Sequence, residues 1–202
     1  MSDVKDLDPV TAKETNNDIT PQAKIDGLKE IIKTVKMAML TTRSSDGHMH
    51  SRAMAPCDPH SNTQLTLTFI GNNATHKFDD IEKDSHVNVS FYDEKSTNWA
   101  SFSGIATISQ DREKIKAHWT RLTSAWFGDL NDGVHKGDHN DPRVSIIEVV
   151  PEEIRYWVST QNVVTKTANI AASALTGKVS APGELRTITK SEIQLTEGLH
   201  TT

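Results

Sequence analysis

Cysteine occurs once in the 202 residues, at position 57. A single thiol can form neither an internal disulfide nor a thiolate metal site, which fits a reducing compartment. Long apolar runs are absent, and no stretch reaches the roughly 20 residues that a membrane-spanning helix needs. The opening "MSDVKDLDPVTAKETNND" carries no apolar or arginine-rich targeting run. A soluble protein of the cytoplasm is the expectation. Basic blocks are missing too: 22 Lys and Arg against 27 Asp and Glu leave a net charge of -5. No basic stripe interleaves with aromatics, so a surface that neutralises nucleic acid is not expected. No glycine-rich phosphate loop follows a predicted strand, and neither an H-E-x-x-H motif nor a Ser/His/Asp arrangement occurs. Dinucleotide-binding domains, P-loop enzymes and hydrolases with a protein nucleophile therefore lack a candidate.

Hydrophobic residues are also scarce, at 35%, and mean hydropathy is -0.51. The length fits one domain with a real core, and the deficit falls at the ends. Residues 1–20 are polar and read as a disordered tail. One domain is expected over 21–160. Residues 161–202 read as a C-terminal extension, with a helix candidate at "NVVTKTANIAASALTG" and then a loose tail.

Within 21–160 the periodicities separate helices from strands. "TPQAKIDGLKEIIKTV" predicts a helix, with Thr20 as cap, Pro21 in the first turn, and Ile25, Leu28, Ile31, Ile32 and Val35 as one apolar stripe. "MAMLTT" and "HMHSRAMAP" read as strands whose connection carries a hairpin signal, Asp46-Gly47. "TQLTLTFI", "HVNVSFYD" and "NWASFSGIATIS" alternate apolar with polar or small residues and read as further strands. "HKFDDIEKD" is a short helix, and "DREKIKAHWTRLTSAWF" is the longest helix candidate, with Ile115, Trp119, Leu122 and Trp126 near helical spacing. A surface loop, "GDLNDGVHKGDHNDPR", precedes "VSIIEVVPEEIRYWVS", a strand or a broken pair because Pro151 cannot donate to a central ladder. Adjacent strands with inserted helices predict a mainly β chain, an antiparallel barrel with α elements rather than βαβ units.

Arg52 is the first residue that asks for chemistry, because a guanidinium in a half-buried strand needs either water or an anion. "GNNATHK" leaves a strand at Gly71 and enters a helix near Thr75. The first helical amides, the Thr75 hydroxyl and the Lys77 ammonium could meet an anion there, and a phosphate would suit. The same residues also fit a capped surface helix with a solvated lysine. His135 and His139, with Asp138 between them, could ligate a metal or form a solvated run. His48 and His50 share a strand face, where cross-strand packing accounts for them. Trp126, Phe127 and Trp157 fit either core packing or stacking against a flat ring system.

Taken in order, "MLTTRSSDGHMHSRAMAP", "LTFIGNNATHKFDDIEKDSHVNVSFYD", "WASFSGIATISQDREKIKAHW", "AWF" and "VVPEEIRYW" resemble one family. It is the general stress protein branch of the pyridoxamine 5′-phosphate oxidase-like flavin-binding split barrels, which includes blue-light-inducible proteins of filamentous fungi. The resemblance implies a six-stranded antiparallel split β-barrel with flanking helices, and a homodimer that holds FMN without a covalent bond in grooves between subunits. It implies that Arg52 pairs with the FMN phosphate, joined by Thr75 and Lys77, while Ala53 and Met54 offer backbone to the flavin edge. Phe69, Ile70 and Gly71 would line the ribityl and ring side. Ser101 and Ser103 would face the flavin from the other subunit, and Trp126 and Trp157 would lie near the isoalloxazine. The implied activity is that of an FMN-dependent oxidoreductase of the stress response, with NAD(P)H as a candidate donor. The alternatives are a flavin carrier or sensor without turnover, or the same barrel holding haem or a deazaflavin. The arginine-bearing C-terminal motif of true pyridoxamine phosphate oxidases is not found, so vitamin B6 synthesis is not implied.

Overall fold

The computed structural model describes residue 15 and residues 18–160 and 182–198. Most of the expected N-terminal tail, and the helix candidate at 162–177, lie outside the described residues. Helix α1 spans Pro21–Thr34, with the Thr20 hydroxyl accepting from the Ala23 amide and proline in the first turn, as the sequence predicts. Its Ile25, Leu28 and Ile31 are buried in the main core, and Ile32 and Val35 pack against that core. Each such fully buried aliphatic side chain contributes roughly 1.5–3 kcal/mol.

The strands are β1 (Ala38–Arg43), β2 (Met49–Met54), β3 (Leu67–Asn72), β4 (His86–Tyr92), β5 (Trp99–Ser109), β6 (Val144–Ser159) and β7 (Gly183–Ile188). All pair antiparallel in the order β2-β1-β4-β5-β6-β3, and β7 joins β6 beside β5 and β3. β6 is the spine: its first half pairs with β3, its second half with β7, and β5 runs along both. Pro151 does not break it. The register slips between Ser103 and Gly104, so that Gly104 faces Pro151 and Glu152 bulges out. A Cβ at Gly104 would lie 2.2 Å from the Val150 carbonyl oxygen, so only glycine tolerates this approach.

β2 and β3 stand at opposite ends of the sheet path, which is not closed by a strand ladder. One backbone bond, from the Cys57 amide to the Thr68 carbonyl at 2.7 Å, ties the chain leaving β2 to β3. The barrel is therefore split but gathered at this edge. Antiparallel pairing assigns each residue to one of two faces. The inner row runs Arg52, Leu40, Val89, Phe102, Ile154, Ile188, and all but Arg52 are buried in the main core. The parallel outer row runs Ala53, Met39, Ser90, Ser101, Arg155, Thr187, and none of its residues is buried.

Helix α2 spans His76–Lys83 and packs Phe78 and Ile81 into the core. The single helix expected over 111–127 is two: α3 (Arg112–His118) and α4 (Arg121–Ser124). Thr120 makes the break, because its hydroxyl accepts from the Thr123 amide and starts a new turn. Of the apolar stripe, Ile115 is buried and Trp119 packs on Phe127 at 5.6 Å, but Leu122 and Trp126 are 81% and 83% exposed. Among the described residues a seventh strand joins the expected six, because the tail expected to be loose carries β7 and helix α5 (Lys190–Glu197). Ile188 and Ile193 give these elements a place in the core, and Lys24 of α1, 5% exposed, pairs with Glu192 at 2.9 Å.

Candidate functional site

The N-terminus of α2 lies where the chain turns off β3. Thr75 occupies the cap position with extended backbone, yet its side chain makes no capping bond. Its hydroxyl instead donates to the Asn72 carbonyl at 2.7 Å and accepts from the Lys77 ammonium. The first amides of α2 are thus left without a side-chain acceptor, with the positive end of the helix dipole behind them. Gly71 is buried beneath this turn, and a Cβ there would press on the Phe78 ring at 3.1 Å and on Lys77 Cε at 3.3 Å.

Arg52 reaches the same turn from the far end of the sheet. Its Nη1 donates to the Leu40 carbonyl at 3.3 Å and to the Thr42 hydroxyl at 2.8 Å. Its Nη2 is 3.8 Å from an Asp80 carboxylate oxygen on α2. Thr42 is fully buried and passes its own hydroxyl proton to Asp80 at 2.7 Å. His50, one row along the inner face, stands 3.9 Å from the same oxygen. Burial lowers the pKa of Arg52, and Asp80 opposes that shift. Burial also lowers the pKa of Lys77, and the positive charge of Arg52 lowers it further. Among the described residues no carboxylate lies within ion-pair distance of Lys77. Two part-buried cations thus repel each other near an uncapped helix end, and the nearby Asp80 carboxylate stands off from Arg52 at 3.8 Å.

The other expected site residues are spread over both faces. Met54 is half-buried on the inner face against the core, and Ala53 is exposed on the outer face. Phe69 is fully buried in the core, and Ile70 leans on a second small cluster with Ile115, Phe127, Val144 and Ile146. Ser101 and Ser103 are on the outer face and accept from the Asn88 amide at 2.8 and 3.5 Å. Trp157 is on that face too, opposite Trp99 across the β5–β6 ladder. Trp126 is out in solvent at the end of α4, while its neighbour Phe127 turns inward. One chain therefore gathers Arg52, Gly71, Thr75 and Lys77, and leaves Ser101, Ser103, Trp126 and Trp157 elsewhere.

Thr42 and Asp80 are the neighbours of Arg52 that the sequence does not reveal. Thr42 reads as an ordinary strand residue, and Asp80 as the polar side of a short helix. The available signal was that Asp80 stands beside Ile81 on α2, at the edge of the face that enters the core.

The histidine loop is organised differently. His135 Nδ1 is bound to Asp132 at 2.6 Å, and His139 neighbours the Asn140 amide, so the two imidazoles and Asp138 do not converge. Among the described residues no group of three His, Cys, Asp or Glu could hold a metal. Burial pushes the Cys57 thiol up to about 11, which removes it as a thiolate at neutral pH. An open depression of about 300 Å³ lies between Gln64, Thr66 and Glu197 and includes none of the expected site residues. No helix among the described residues is long and apolar enough to cross a membrane.

Comparison with known proteins accords with this fold. The family model described as pyridoxamine 5′-phosphate oxidase like matches residues 23–180. Protein bli-3 of Neurospora crassa is 37% identical over 197 residues, which cover 97% of this chain and 94% of that protein. The crystal structure of General Stress Protein 26 from Bacillus anthracis superposes with a TM-score of 0.53 at 21% identity, covering 66% of this chain and 92% of that one. A pyridoxamine 5′-phosphate oxidase-related, FMN binding protein of Nostoc punctiforme superposes with a TM-score of 0.52 at 14% identity, covering 72% of this chain and 93% of that one. The split antiparallel sheet with its flanking helices, the family model over most of the chain and the close fungal relative agree: this chain belongs to the pyridoxamine 5′-phosphate oxidase-like family.

Proposed function

We propose that the chain binds FMN through the Arg52–Lys77 turn and acts as a flavin-dependent oxidoreductase. The observation that carries this reading is the pair of mutually repelling cations near an uncapped helix N-terminus, with Lys77 held among the described residues by the Thr75 hydroxyl and the face of Phe78 and by no carboxylate. A phosphate monoester answers each part of it, since its oxygens accept from guanidinium, ammonium, hydroxyl and helical amides together. Gly71 leaves room beneath the turn for the Phe78 ring and the Lys77 stem. When bound, FMN supplies the redox chemistry that the protein's own side chains lack.

The protein's share of the work is binding and orientation. Arg52 and Lys77 fix the phosphate end, and the backbone at Ala53 and Met54, with Ile70, borders the ribityl and ring. Ser101, Ser103 and Trp157 occupy the opposite face of the sheet from Arg52. A homodimer lets one subunit offer the phosphate turn and the other offer this outer face, with exposed Trp126 closing on the ring. NAD(P)H is the proposed electron donor, and a cytoplasmic role in the stress response belongs to the same reading. A carrier or sensor without turnover is the second reading, favoured by the commitment of Asp80, the carboxylate beside Arg52, to the Thr42 hydroxyl.

The test is to mix purified protein with FMN, desalt it, and record the visible spectrum and the mass in solution. Flavin bands retained at near one per subunit in a dimer support the proposal, and NADPH-dependent reduction of the bound flavin then separates enzyme from carrier. A colourless protein overturns it. Retention of haem or a deazaflavin in place of FMN redirects the cofactor assignment.

A further inference from the structure

We infer that Thr42 is a positioning residue of the phosphate site, holding the Arg52 guanidinium through a one-way relay that ends on buried Asp80. This rests on the FMN reading above. Thr42 is fully buried, and Asp80 is 7% exposed. The only proton on the Thr42 hydroxyl goes to Asp80 Oδ2 at 2.7 Å, which leaves its lone pairs to accept Arg52 Nη1 at 2.8 Å. Direction is thereby fixed: Asp80 orients Thr42, and Thr42 orients Arg52.

The relay matters because Arg52 stands at the open end of a core row on a terminal strand. A free arginine there has many rotamers, and ordering it on binding costs conformational entropy that weakens the ligand's hold. The bonds to Thr42 and the Leu40 carbonyl use Nη1 alone, so Nη2 and Nε stay available to a ligand. The Asp80 oxygen, 3.8 Å from Nη2, is too far to capture that donor as a hydrogen-bond acceptor. Thr42 thus preorganises the guanidinium without consuming the edge that a phosphate needs. A residue acting through Arg52 should affect ligands that carry the phosphate and spare those that do not.

Riboflavin, which is FMN without its phosphate, makes the test. Dissociation constants of FMN and riboflavin would be measured by flavin fluorescence for the full-length protein and for Thr42→Val, Thr42→Ser and Asp80→Asn, with thermal unfolding in parallel. Thr42→Val should weaken FMN binding about tenfold, the scale of one lost charged hydrogen bond, and leave riboflavin unchanged. Thr42→Ser, which keeps the hydroxyl, should bind FMN within about twofold of the parent. Asp80→Asn keeps an oxygen for the Thr42 proton and should cost less than Thr42→Val. If Thr42→Val does not fold, Thr42→Ala against Thr42→Ser isolates the same oxygen. Equal losses for FMN and riboflavin, or a serine variant as weak as the valine one, would overturn the relay while leaving the FMN reading intact. A parent protein that binds FMN no better than riboflavin would overturn the phosphate reading and the relay with it.

Discussion

Arg143 and Arg52 are both largely covered, at 16% and 25% side-chain exposure, and each has an aspartate within reach. At Arg143 the charge is fully answered. Its Nε and Nη2 make a forked pair with Asp141 at 3.0 and 2.7 Å, and Nη2 also donates to the Gly128 carbonyl. Asp141, 1% exposed, further accepts the Gly137 and Arg143 amides, so the pair pins both ends of the 128–143 loop. At Arg52 the aspartate stands off at 3.8 Å and a second cation is close by. The contrast teaches that a covered arginine is a candidate for ligand binding only when its charge is left partly open. A closed fork fixes a loop, whereas an incomplete one stores potential for a ligand.

The largest effect should come from breaking the closed fork. Arg143→Ala leaves Asp141 with its two backbone amides and no countercharge, and should lower the denaturant midpoint more than Arg52→Ala, Lys77→Ala or Trp126→Ala, with the FMN affinity of the folded fraction unchanged. Arg143 also holds the Asp141 carboxyl well below the usual carboxylate range. A depressed folded-state pKa gives stability that is present above the ordinary carboxylate pKa and lost as the pH falls through the folded one. The parent should therefore lose this contribution on strong acidification, which a pH series of melting temperatures would follow.

Breaking the open site should invert the pattern. Arg52→Ala and Lys77→Ala should each weaken FMN binding by about 1.5–3 kcal/mol in fluorescence titrations, with little change in melting temperature. Unchanged affinity in both variants would remove the phosphate assignment.

A smaller effect sharpens the comparison through pH. Lys77 has a lowered pKa, so the folded chain without ligand binds fewer protons than the unfolded chain between the folded and the ordinary lysine values. Its stability penalty is full below the folded pKa and disappears as the pH rises through that window. FMN affinity should fall with rising pH earlier than an ordinary lysine would allow. Arg52→Ala should move that fall upward, because it removes the repulsion, and titrations across alkaline pH would detect it. Trp126→Ala, at an 83% exposed position, should change unfolding stability by less than about 0.5 kcal/mol, so any larger loss of FMN affinity would point to its place at the ring.

Much of this protein is legible because local pattern carries it. Alternation at 86–92 and 99–109, the capped stripe of α1 and the turn into α2 follow from which side chains can share a face, and that depends on a few neighbouring residues. The same pattern misleads at 111–127, where helical spacing suggests one helix and Thr120 divides it. β7 escaped notice because its burial comes from pairing with β6, far away in sequence.

By itself, then, the sequence determined the alternating strands, the cations at 52 and 77, and a family likeness carried by short motifs in order. The tertiary structure alone decided which charges meet: Asp80 and Thr42 beside Arg52, Asp141 beneath Arg143, Ser101 on the face away from Arg52. The physical reason is range. Backbone periodicity and caps are satisfied within a turn or two, whereas the partner of a buried charge is chosen by how the sheet curls and which edge it brings against a helix.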